Sequence, residues 1–231
     1  MKRWALVVVL LYGLALVALT LPVLMAAFAP ELDLSVMAGV FGQWEYWVWL
    51  GVMLLCQAGL LLVPVGVASG RPVSRRSLLA PVCVTGLLIG ALVTGAVLAV
   101  FETVLNWNTP RGGGIEGEIY HLVIATAIGM AIWVFWTIAF YRLSREKEPA
   151  GVVTRMCRYL LGGSILELLV AVPTHIVARC RNYCCAGFMT FLGIVFGISV
   201  MLFSFGPGVF YLYVGRWRRL TAPRAADMEK G

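Results

Sequence analysis

The chain has 231 residues, 61% of them hydrophobic and only 13% charged, with a formal net charge of +7 and a mean hydropathy of +0.92. Soluble globular domains carry roughly 25% charged residues, so this composition excludes a water-covered surface and implies a lipid-embedded fold. The length suits one compact domain, which six helices of about 20–25 residues with short loops would nearly fill.

The first apolar run extends from Trp4 to about Ala29, behind Lys2-Arg3. It ends in Ala27-Phe28-Ala29, which resembles a signal-peptidase site. The run is nevertheless longer than the roughly 7–15 residues of a signal h-region, and it reads as a first membrane span, residues 4–29. Further spans are expected at 46–68, 78–104, 119–143, 159–177 and 188–214. Each is long enough, at about 1.5 Å per residue, to cross roughly 30 Å of hydrocarbon. A transmembrane β-barrel would need strictly alternating segments of about 10 residues, and none occur. The fold class is therefore an all-α integral membrane protein. Six transmembrane helices form a single bundle, residues 1–231 make one transmembrane domain, and 215–231 form a basic cytoplasmic tail.

Orientation follows from the basic residues. Lys and Arg number 18, and all but Arg111, Arg179 and Arg181 fall at the chain ends or in or beside the second and fourth connections. That side is expected to be cytoplasmic, with both termini inside, most simply in a bacterial inner membrane. The positive charge then serves topology and contact with anionic lipid rather than nucleic acid. On the opposite side, residues 30–45 look like a short interfacial helix leading into an aromatic belt at Trp44, Trp47 and Trp49. Gly112-Gly113-Gly114 marks a flexible loop. The tight loop 178–187 carries three cysteines.

Two patterns point to close helix packing. Gly86 with Gly90, and Gly193 with Gly197, are small-xxx-small pairs that let backbones approach, within the bundle or in a homo-oligomer. Phe205-Gly206-Pro207-Gly208 should bend or break the sixth span, because proline removes a backbone donor.

Few residues can carry chemistry. Glu167 is the one acidic residue well inside a span, where an ionised carboxylate costs several kcal/mol. Helical spacing puts Ser164, Glu167, Ala171 and His175 on one face, which should meet protein rather than lipid. Ser199 and Ser204 are expected as its partners. At the outer ends of the spans lie the only two histidines, His121 and His175. Glu118 and His121 form a Glu-x-x-His pair of the kind found in di-iron bundles, though as one copy, and Glu102 adds a carboxylate at similar depth. Cys180, Cys184 and Cys185 follow His175. In an oxidising compartment they would form a loop disulfide, with one thiol left over. Alternatively, thiolates with His175 make a soft nitrogen and sulfur site for zinc, copper(I) or iron. Arg179 and Arg181 flank the cysteines, where they favour thiolates and anion contact. One b-type haem held by His121 and His175 is a further arrangement of the same ligands. Cys56, Cys83 and Cys157 read as inert apolar fillers.

Nucleotide-binding, nicotinamide-binding and zincin motifs are absent, as is an arginine ladder. Three functions stay open. The first is a metal-binding or thiol-redox site at the outer face, at the ends of the third to sixth spans. The second is a small proton-linked transporter or channel using Glu167. The third is a non-catalytic subunit or assembly factor of a larger membrane complex.

Overall fold

The computed structural model describes residues 1–28, 39, 41–70, 75–105, 115–144, 149–181 and 187–221, and among them every regular element is helical. Seven long α-helices follow one another among the described residues: α1 (Lys2–Phe28), α2 (Trp44–Ala68), α3 (Leu79–Leu105), α4 (Ile115–Ser144), α5 (Pro149–Arg179), α6 (Phe188–Ser204) and α7 (Gly206–Thr221). A short 3-10 turn, Arg75–Leu78, leads into α3. Among the described residues, five helical stretches are long and apolar enough to cross a membrane, with α6 and α7 together forming one of them. In α4 the apolar part among the described residues is shorter, Ala127–Leu143, although the whole helix has 30 residues. The expected interfacial helix at 30–45 lies largely outside the described residues, as do the triple-glycine loop and the tail beyond residue 221.

Helix α1 runs antiparallel to α2 and α7. At one end, Trp4 of α1 stacks on Tyr213 of α7 with ring centroids 5.2 Å apart, and Arg218 donates to the Ala68 carbonyl at the end of α2. At the other end, Thr20 of α1 meets Tyr46 of α2 through their hydroxyls at 3.0 Å. Helix α3 is central and packs against α2, α4, α5 and α6.

Sequence explains that centrality. Gly90 faces the Trp133 backbone of α4, and the Trp133 indole N–H donates to the Cys83 carbonyl at 3.1 Å. A Cβ on Gly86 would press on Thr137. Lower on α3, Gly95 lies against the Gly193 backbone of α6. Both small-residue pairs thus serve packing between helices of this one chain, where missing Cβ atoms let dispersion contacts form without a hydrophobic driving force.

The surface is inverted relative to a soluble bundle. Leu55, Leu166, Leu169 and Leu212 are exposed, while Gln57, Thr85, Glu102, Ser164, Glu167, His175, Thr190 and Ser199 are buried. On α5 this is visible residue by residue. Ser164, Glu167, Ala171 and His175 form the buried stripe, and Ile165, Leu166, Leu169 and Ile176 face outward. An apolar exterior, with the polar groups gathered inside an otherwise apolar core, is what lipid as solvent selects.

The expected break in the last span falls at Phe205, between α6 and α7. The Phe205 N–H turns back to the Leu202 carbonyl at 3.2 Å, tightening the last turn of α6. Pro207 then sits in the first turn of α7, where its missing N–H costs nothing. Gln57 of α2 packs on the break, and a Cβ on Gly206 would overlap its amide nitrogen. Neither polar atom of that amide has a hydrogen-bond partner among the described residues.

Candidate functional site

Two polar centres lie along the seam of α3, α5 and α6. The inner one is Glu167, only 2% exposed. Three glycines from the two neighbouring helices make its socket. A Cβ on Gly95 would overlap Glu167 Oε1, one on Gly197 would come within 3.3 Å of Oε2, and one on Gly193 within 3.7 Å of Oε1. The carboxyl therefore lies directly on the backbones of α3 and α6. Neither oxygen has a hydrogen-bond partner among the described residues. The expected partners do not reach it. Ser199 donates to the Val195 carbonyl at 2.6 Å and Ser204 to the Met201 carbonyl at 2.7 Å, each within its own helix. Hydroxyls in helices commonly satisfy themselves this way.

The outer centre begins two turns along α5, about 12 Å away by helical rise. Here the buried Glu102, near the end of α3, accepts the backbone N–H of Gly187 at 2.9 Å through Oε1 and that of Thr190 at 2.8 Å through Oε2. These are first-turn donors of α6, whose own N-cap, Gly187, offers no side chain. A carboxylate from a distant helix thus caps α6 and complements its dipole. Gly187 is in the left-handed region at φ +90°, and a Cβ there would lie 3.0 Å from both Arg179 Cδ and His175 Cε1.

His175 completes the arrangement. Its Nδ1 lies 3.1 Å from the Gly187 carbonyl and 2.9 Å from Thr190 Oγ1, and that hydroxyl itself donates to the Gly187 carbonyl at 2.9 Å. With the hydroxyl proton committed, both oxygens face Nδ1 as acceptors, so Nδ1 carries a proton. Arg181 caps in the opposite sense. Its guanidinium donates to the Glu102 carbonyl at 2.9 Å and to the Thr103 carbonyl, covering the negative end of α3. The ends of α3 and α6 are therefore reciprocally capped, by Glu102 and Arg181.

Of the residues expected at the outer face, Glu102, His175 and Arg181 meet around Gly187, and Arg179 lies beside them through its aliphatic stem. Cys180 is exposed at the end of α5. Glu118 and His121 fall in the first two turns of α4, but their side chains lie outside the described residues, as do Cys184 and Cys185 entirely. Among the described residues no group of three or more His, Cys, Asp or Glu side chains is arranged to hold a metal, and Cys56, Cys83, Cys157 and Cys180 are free thiols. Gly95, Gln57, Gly187 and Thr190 were not anticipated as parts of the polar interior. Only Gln57 had a usable signal, as a lone amide in an apolar run.

No protein-family model, curated protein or solved structure matches the chain.

Proposed function

We propose that the chain is a small proton-linked transporter of a bacterial cytoplasmic membrane, built as six spans with both termini inside and using Glu167 as its protonation site. One observation carries this reading: a carboxyl at the middle of a three-helix seam, almost wholly buried, rests on three glycines without a hydrogen-bond partner among the described residues. Leaving a buried polar group unmade costs about 1–3 kcal/mol. A glutamate that merely joined helices would be expected to bond across them. An acid kept at a cost to stability, on the same face as His175 and two turns from it, fits a group that must take up and release a proton. The one-sided distribution of the 18 basic residues supports the orientation.

The test is flux through purified protein in liposomes carrying an internal pH dye under an imposed pH gradient. Wild-type protein should collapse the gradient, and Glu167→Gln should slow the collapse at least tenfold while keeping its thermal midpoint. Equal rates for wild type and Glu167→Gln would sink the proposal.

A second reading, a metal or thiol site at the outer face, draws on one feature. An imidazole whose Nδ1–H is held by a backbone carbonyl, as His175 is by Gly187, has the orientation used by metal-bound histidines. Exposed Cys180 follows five residues later, and Cys184, Cys185, His121 and Glu118 would complete a zinc, copper or iron site. Protein purified without chelators should then carry stoichiometric metal that Cys184→Ser removes. Metal-free protein, with Cys→Ser variants of unchanged stability, would rule the site out. Either reading accommodates a homo-oligomer.

A further inference from the structure

Away from the seam, α1, α2 and α6 enclose a cavity of about 320 Å³. Its walls are almost wholly apolar, including Leu16 and Leu19 of α1 and Val195 and Phe196 of α6. Its depth is informative. One end reaches Glu45, the second residue of α2, and the other reaches Ser199, eleven residues into α6. The lining on α6 runs from Phe191 to Ser199, eight residues, which at about 1.5 Å per residue is some 12 Å. At that end the Tyr12 hydroxyl donates to the Ser199 carbonyl at 3.1 Å. The cavity is therefore an apolar slot about 12 Å long, which fits most of one medium-length alkyl chain.

The mouth has a different chemistry. Glu45 is exposed there, and among the described residues no lysine or arginine lines the cavity. Beside Glu45, Tyr46 sits in an aromatic cluster, with ring centroids 5.4 Å from Phe41, 5.3 Å from Trp47 and 5.9 Å from Trp49. A carboxylate at a mouth that Tyr46 and Trp49 also line attracts an organic cation and repels an anionic head. Just below, Trp49 lines the cavity, and its buried indole N–H has no acceptor among the described residues. An ester or amide oxygen at the base of a head group would supply one.

We infer that this cavity binds a membrane-dissolved single-chain amphiphile with an ammonium head, its alkyl chain along α1 and α6, its ester or amide linkage at Trp49 and its cation at Glu45. An apolar cavity of this kind stays dry and accepts hydrocarbon, which supplies affinity, while the mouth supplies selectivity. The site stands independently of proton movement at Glu167. The other face of α6, bearing Gly193 and Gly197, lines the Glu167 socket, so one helix touches both.

The experiment uses the full chain in neutral-detergent micelles with a diazirine-tagged lauroylcholine, followed by peptide mapping. Labelling should saturate, map to α1, α2 and the first half of α6, and be displaced by lauroylcholine at least tenfold better than by laurate. Dodecyltrimethylammonium, which lacks the ester, should compete less well, and Trp49→Phe should erase that difference. Glu45→Gln, at an exposed position that leaves folding intact, should weaken binding about five- to tenfold. Val195→Trp, which fills the cavity, should abolish it. Unsaturable labelling, adducts elsewhere, or equal displacement by laurate or methyl laurate would overturn the assignment, the last marking an ordinary lipid-chain groove. Labelling that disappears as the chain dimerises would assign the cavity to a second copy and overturn it equally.

Discussion

Glu102→Ala should lower the thermal midpoint of the purified protein by about ten degrees, more than any other single polar truncation at the end of the bundle. The carboxylate accepts two backbone N–H groups of α6 inside a fully buried site. Hydrogen bonds to charged groups contribute about 1.5–3 kcal/mol each, and in this variant both donors stay buried without an acceptor. Favourable charge at the positive end of α6 is lost as well, for roughly 0.3–1 kcal/mol more. In a domain of this size each kcal/mol moves the midpoint by about 2–4 °C, so the lower part of this range already gives the stated shift. Glu102→Gln keeps one oxygen acceptor and should recover about half of the loss. Arg181→Ala should cost less, because Arg181 and Thr103 are half-buried, so the Thr103 carbonyl it uncovers can turn to water, whereas both donors held by Glu102 stay buried. The measurement is a fluorescence melt in one detergent for all variants. An unchanged midpoint for Glu102→Ala would mean that Gly187 and Thr190 find other acceptors, and that the reciprocal caps do not hold the end of the seam.

The capping role of Glu102 could not be read from the chain, and the reason is physical. Its partners lie 85 and 88 residues away, and the local sequence around an acid at the end of an apolar run is the same whether it faces water or another helix. Gly187 and Thr190 were silent for the same reason. By contrast, the stripe Ser164, Glu167, Ala171 and His175 was legible because helical periodicity alone selects a face, and lipid exclusion says that a polar face turns inward. The break at Phe205 was legible because proline acts on its own backbone. The start of α5 was not. The expected span began at residue 159, past Arg155 and Arg158, whereas the helix begins at Pro149. Hydropathy marks where lipid ends, and a helix continues beyond that limit; Pro149 in its first turn was the usable signal. Ser199 and Ser204 misled as expected partners of Glu167, since matching depth says nothing about the carbonyl one turn back that a helical hydroxyl prefers.

Gly95→Val should destabilise the protein by about 1–3 kcal/mol and abolish proton flux, and most of the lost stability should return in the double variant with Glu167→Ala. The added side chain would overlap the Glu167 carboxyl, and its Cβ would come within 3.3 Å of the Gly193 backbone. Overpacking a close-packed interior costs about that amount. Truncating Glu167 removes the nearer obstacle together with an acid that has no hydrogen-bond partner among the described residues. Two residues competing for one space should then show a coupling energy of about 1–3 kcal/mol in a double-mutant cycle of thermal or denaturant unfolding. This outcome separates two reasons for glycine at position 95. If glycine is there only so that α3 and α6 can approach, the clash with Gly193 dominates, the two substitutions add, and stability stays lost in the double variant. If glycine makes room for the acid, the substitutions couple strongly, and the double variant folds yet carries no protons. Additive stabilities would identify ordinary helix packing and remove the socket from the case for Glu167. Strong coupling with lost flux would tie three glycines on two helices to one carboxyl, making the seam of α3, α5 and α6 a site for that acid rather than only a contact between helices.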